Sequence, residues 1–159
     1  RLCRDWSSDV CSSDLTLAGR CAAIGPARPW TEVASSVRRA RRATELGLAS
    51  AVTVDTDACL ADLVLRADTD ALADLRAKVL APLDDLRPMV KGKLIETLRA
   101  WLLHHGRRDD VAAALFVHPQ TVRYRIGQLR ELYGDKLEDP TTVLELTVAL
   151  GAAQALSSE

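Results

Sequence analysis

The sequence predicts a mainly α-helical chain. A helix-turn-helix domain is expected over residues 91–157, preceded by a helical linker over 67–90 and a truncated α/β remnant over 16–66. Three observations carry this. Leu94, Leu98, Trp101 and Leu102 recur at helical spacing. Two more helical segments follow with a short turn between them, and upstream two short apolar runs flank one amphipathic stretch in the order strand, helix, strand.

Composition bounds the rest. The 159 residues are 48% hydrophobic, enough for one modest core or two small ones. Eight Gly and six Pro are scattered, so collagen-like, propeller and low-complexity readings have no support. The net charge of −1 hides an asymmetry: residues 87–133 hold nine Lys or Arg against four Asp or Glu, and residues 134–159 hold one against five. No apolar run reaches the length of a membrane span, and no charged start with an apolar run marks a secretory signal, so a cytoplasmic location without a membrane partner is expected. Cys3, Cys11, Cys21 and Cys59 form no Cys-x-x-Cys pair and have no His at zinc-ligand spacing. Free thiols and no metal are the expectation.

Residues 1–15 fit nothing that follows. Between Arg4 and Leu15 apolar residues keep neither helical nor strand period, and Ser-Ser-Asp occurs twice. The string looks like a translated sequencing adapter, the alternative being a disordered tail, and neither carries function.

Arg20 to Gly25 suits the end of a strand, and Pro26 and Pro29 punctuate a turn. A helix should follow, capped by Thr31, with Val33, Val37, Ala40, Ala43 and Leu46 to Leu48 inward and Gly47 ending it. Its outer face holds Arg38, Arg39, Arg41 and Arg42. A basic run of this kind is a nucleic-acid footprint or a solvated face; without an aromatic or Gly-rich loop the solvated face is favoured. Ala51 to Val54 reads as a strand. Asp55 or Thr56 can cap a helix to Leu65, and Asp68 or Asp70 another to Leu80. Asp84 and Asp85 have no partner group arranged for acid/base chemistry and read as surface charge.

The informative part begins at Lys91. Lys91 to His105 should be a scaffold helix closed by Gly106. Asp110 to Leu115 is a short Ala-rich helix with Val111, Ala112 and Leu115 inward, and Phe116-Val117-His118 makes the turn. Pro119 suits the first position of the next helix, which runs to about Tyr133. There Val122, Ile126, Leu129 and Tyr133 form a core stripe, and a last helix spans Pro140 to Leu156. With these apolar stripes, residues from about Leu83 onward are expected to fold alone. The opposite face of the helix after Pro119 shows Gln120, Arg123, Tyr124, Gly127 and Gln128, with Thr121 at its edge and no carboxylate before Glu131. Such a helix can enter a DNA major groove about 12 Å wide. Arg can bond guanine, Gln adenine, and the helix N-terminus favours phosphate.

The proposed contacts are therefore Gln120, Thr121, Arg123, Tyr124, Arg125, Gln128 and Arg130, with double-stranded DNA as partner. Gln120 and Arg123 are expected to read bases and Arg125 and Arg130 mainly to hold phosphate, with Arg107, Arg108 and Arg123 also among the basic side chains expected to neutralise phosphates. Tyr124 can touch DNA or lie along the helix. For Arg125, on the flank of the core stripe, an intramolecular ion pair is the alternative. His104, His105 and His118 lack partners at ligand spacing and suit capping and turn roles.

At these residues the chain resembles a known family. The runs Leu94 to Leu102, Val111 to Leu115, Val117-His-Pro-Gln-Thr-Val-Arg-Tyr-Arg-Ile126, Leu137 to Pro140 and Leu144 to Leu146 look like the C-terminal domain of PucR/CdaR-type bacterial transcriptional regulators. More weakly, Ile24-Gly25 with Ser36, Ala40 and Ala43 resembles the end of the GGDEF-like domain that precedes it there. The resemblance implies a Fis-like helical domain, a regulator of catabolic genes, an effector-sensing region upstream, and a homodimer as an option for the full-length protein. No cofactor and no catalysis are implied: no Ser/His/Asp or Cys/His arrangement, phosphate-cradling loop or metal cluster is present. The alternative function is a helical protein–protein interaction module. Phe116, standing where many such turns have Gly, is expected to disturb the turn or to fill a gap between helices.

Overall fold

A computed structural model describes residues 20–50 and 52–151. The expectations for residues 1–15, for Ala51 and for the helix beyond Gly151 lie outside the described residues. The chain divides into two units between Ala67 and Asp68.

In the first unit β1 (Ala22–Ile24) pairs in parallel with β2 (Thr53–Asp55), Ala23 opposite Val54. Parallel strands need a crossover, and α1 (Val33–Glu45) supplies it. Gly25 permits the close approach of that helix, since a Cβ there would collide with the side chain and carbonyl of Ser36. Gly47, at φ +72°, ends α1, and the Leu48 amide reaches back to the Ala43 carbonyl at 3.0 Å. Thr31 does not cap this helix; a 3-10 turn over Trp30–Glu32 leads into it. Ala43 is fully buried, but Val33 and Val37 are more than half exposed, so the expected inward stripe holds only toward the C-terminal end. The basic face is partly engaged. Arg39 pairs with Asp57 at 2.6 Å, and Arg42 donates to the carbonyls of Arg66 and Ala67. The helix α2 (Leu60–Leu65) starts four residues after Thr56, because the Thr56 hydroxyl is turned into the unit to donate to the Ile24 carbonyl at 2.9 Å.

The second unit is all helical: α3 (Thr69–Leu80), α4 (Pro88–Leu103), α5 (Arg108–Ala114), α6 (Pro119–Tyr133) and α7 (Pro140–Gly151). Asp68 caps α3 by accepting from the Ala71 amide at 2.9 Å. Asp139 does the same for α7, accepting from the Thr142 amide and hydroxyl, which hold its carboxyl below the usual range. The main core joins Val79, Leu83, Leu94, Leu98, Leu129, Tyr133, Leu146 and Leu150. A second cluster joins Ala100, Val111, Ala112 and Val122 beneath the helix pair α5 and α6. Of residues 67–90, expected as a linker, Ala67 belongs to the first unit and the stretch from α3 onward contributes to this core. Val79 and Leu83 are buried in it, with Leu75 and Leu80 packed against it, and α3 lies along α7. Leaving that apolar face in water would forfeit the burial that holds α7 in place.

Candidate nucleic-acid interface

The interface is built by two helix endings of the same type. At the end of α4 the Gly106 amide bonds the Trp101 carbonyl at 2.9 Å, with His105 at φ +50° and Gly106 at φ +74°. At the end of α5 the Val117 amide bonds the Ala112 carbonyl at 3.0 Å and the Phe116 amide that of Ala113 at 3.2 Å. Phe116 sits at φ +53°, the left-handed position that glycine normally fills. The turn geometry is therefore kept despite the bulky residue, and the phenyl ring fills no gap: Phe116 is 96% exposed. Val117, one residue on, is the apolar contact that packs against the Val111 cluster.

These endings set the direction of α6. Pro119 is its first residue, and the His118 ring accepts from the Gln120 amide at 3.2 Å through Nδ1, capping one of the free N–H groups. Val122, Leu129 and Tyr133 are buried and Ile126 is partly so, which anchors one face. The opposite face is open. Gln120, Arg123 and Arg130 are exposed, Tyr124 is 66% exposed, and Thr121, Arg125 and Gln128 are half-buried. Gln128 donates to the Tyr124 hydroxyl at 3.3 Å one turn away, so these two side chains lie together along the helix. Arg125 forms no ion pair among the described residues. Its guanidinium donates to the Thr97 hydroxyl of α4 at 3.1 Å, and Thr97, fully buried, in turn donates to the Lys93 carbonyl at 2.7 Å.

A concavity of about 480 Å³ flanks α6 on the side of Arg123 and Arg130, and its far wall is Trp101, Gly106 and Arg108. That Arg108 lines the same space as Arg123 cannot be read from residue order, because the helix wheel of α6 says nothing about α5. A second concavity, about 580 Å³, lies between α3 and α7 beside Tyr133, lined by both acids and lysines.

With this geometry in place, comparison with known proteins gives a consistent result. Residues 94–152 match the model of the PucR C-terminal helix-turn-helix domain. The chain is 38% identical over 64 residues to the purine catabolism regulatory protein of Bacillus subtilis, covering 40% of this chain and 12% of that one. It is 39% identical over 92 residues to the carbohydrate diacid regulator of Escherichia coli, covering 56% and 24%. An uncharacterised protein of Mycobacterium tuberculosis is 37% identical over 95 residues, covering 60% and 22%. The chain thus spans about a quarter or less of the length of these relatives. Matched residues, turn geometry and buried stripe coincide: residues 94–152 carry a helix-turn-helix domain of the PucR C-terminal type.

Proposed function

We propose that this chain is part of a sequence-specific, DNA-binding transcriptional regulator that lays α6 in the major groove. The observation that carries the reading is the free face of α6. From Pro119 to Arg130 it offers amide, hydroxyl and guanidinium groups and no carboxylate, on a helix whose buried stripe is fixed by two clusters. The free amides at its start and its dipole favour phosphate. Gln120, Thr121, Arg123, Tyr124, Arg125, Gln128 and Arg130 are the proposed contacts.

The names of two relatives, a purine catabolism regulator and a carbohydrate diacid regulator, support a catabolic target. The strand–helix–strand unit within residues 20–67 is then the end of a GGDEF-like domain, with the effector-sensing region upstream of it. No helix among the described residues is long and apolar enough to cross a membrane, in keeping with a cytoplasmic regulator.

The test is selection of duplex DNA from a random pool by the full chain, followed by affinity measurement against salt. A selected motif, and log affinity falling linearly with log salt at a slope near −0.9 per phosphate contact, is the expected outcome. Failure to retain duplex DNA at low salt would overturn the reading and leave protein–protein interaction in its place.

A further inference from the structure

We infer that the concavity between Trp101, Arg108, Arg123 and Arg130 is a pocket for a single backbone phosphate of duplex DNA, and that Arg123 holds this phosphate instead of reading a base. The inference rests on the DNA-binding reading of α6 and assigns the flank of that helix a separate task.

Three arginines from two helices line one space of about 480 Å³, and no acidic residue among the described ones lines it. Arg108, Arg123 and Arg130 are exposed, and none has a hydrogen bond or ion pair among the described residues. Nearby Arg107, outside the pocket, leans toward Asp110 at 3.9 Å. Three unpaired like charges around one concavity repel each other, and one anion placed among them turns that repulsion into attraction. Guanidinium forks match phosphate oxygens in shape as well as in charge.

Five uncharged residues complete the pocket: Trp101, Gly106, Val122, Ile126 and Gly127. The Trp101 indole lies against Gly106, where an added Cβ would stand 3.3 Å from Nε1, and the indole N–H has no acceptor among the described residues. Gly127, in the middle of α6, has open space where its Cβ would be. Glycine weakens a helix interior, and here no neighbour among the described residues demands it. A nucleic-acid backbone approaching the pocket does, since any side chain at position 127 would stand in its path.

A phosphate on this flank also places Arg123. On the helix wheel Arg123 and Arg130 lie within about 20° of each other and Gln120 about 60° further round, toward the middle of the open face. The flank meets the groove wall, where phosphate lies; the middle meets the base edges. Base reading then falls to Gln120 and the Tyr124–Gln128 pair.

The full chain is titrated with random-sequence duplex and with its selected site across a range of salt, as wild type, as the three single Arg→Ala variants and as the triple variant. If the three share one phosphate, the triple variant loses about 0.9 of the salt slope; three separate phosphates would lose about 2.7. Arg123→Ala should weaken both duplexes by the same factor. Gly127→Leu, which strengthens the helix, should keep or raise the melting temperature and still weaken both duplexes at least tenfold. A triple-variant loss near 2.7, or an Arg123→Ala ratio that falls on the selected site alone, overturns the pocket while leaving DNA binding intact. A wild-type chain that binds no duplex fails the functional reading itself. Titration with inorganic pyrophosphate, followed at the Trp101 indole resonance, then shows whether the three arginines hold any anion: a shift in the wild type that the triple variant lacks keeps the anion pocket, and no shift in either ends it.

Discussion

The Tyr133 hydroxyl donates a 2.7 Å hydrogen bond to the Val79 carbonyl inside the core, joining the end of α6 to α3 across 54 residues of sequence. Burial, with the nearby Asp84 charge, pushes the Tyr133 hydroxyl up to about 12. Tyr133→Phe should cost roughly 1–3 kcal/mol, because it strands a buried carbonyl. A raised folded-state value means that the stability lent by the protonated hydroxyl is complete below the unfolded value of about 10 and is lost as pH rises through 12. Thermal melts above pH 10 should therefore fall more steeply for the wild type than for Tyr133→Phe. Parallel curves would show that Tyr133 keeps its proton no longer folded than unfolded.

Residues 68–159 should fold by themselves, and a piece beginning at Leu83 should not. The shorter piece loses Leu75, Val79 and Leu80, which cover Leu146, Leu150 and Tyr133. Deleting buried side chains of this size costs on the order of several kcal/mol, comparable to the stability of a small domain. Circular dichroism of the two pieces decides it: a cooperative melt of the shorter one would show that α3 is dispensable.

Phe116→Gly should stabilise the second unit. A non-glycine residue in the left-handed region costs about 1–2 kcal/mol, and glycine returns about 0.4–1 kcal/mol of that through unfolded-state entropy. With the ring 96% exposed there is little packing to lose, so a net gain of about 0.5–1 kcal/mol is expected in denaturant melts. Loss of stability would show that the ring makes contacts the exposed position does not suggest.

How far these features could be read from the sequence depends on their range. The ends of α6 are local signals, Pro119 at the start and the apolar stripe through Tyr133, and the helix runs between those two residues. The helix of residues 69–80 was legible too, through Asp68 and its apolar spacing, but not its role. Periodicity says which face is apolar, not what covers it, and Leu146 lies more than sixty residues away. Val33 and Val37 show the reverse error: correct spacing, yet exposed side chains. The left-handed position of Phe116 cannot be read from its residue type, because the hydrogen bonds from Phe116 and Val117 impose it whatever the side chain. At the candidate site the open face of α6 could be drawn on a wheel. The link from Arg125 to Thr97 and the grouping of Arg108 with Arg123 could not, since each needs the crossing of two helices.

That crossing yields a last prediction. Arg125 has five N–H donors, of which one is used on Thr97, so the fork is held against the scaffold with its other donors unused among the described residues. A side chain fixed before binding loses less entropy when it grips a phosphate. Thr97→Val keeps the shape of the buried residue and removes both the acceptor for Arg125 and the donor to the Lys93 carbonyl. It should cost about 0.5–1.5 kcal/mol of stability. If Thr97 also positions Arg125, the variant should weaken random and selected duplexes alike by a few-fold, although Thr97 is fully buried and cannot touch DNA. Arg125→Ala should weaken both duplexes too and lower the salt slope by about 0.9. In the double variant the loss of affinity should equal that of Arg125→Ala alone, since Thr97 acts only through that side chain. Additive losses would mean that Thr97 supports the interface by holding α4, and that Arg125 finds its phosphate unaided.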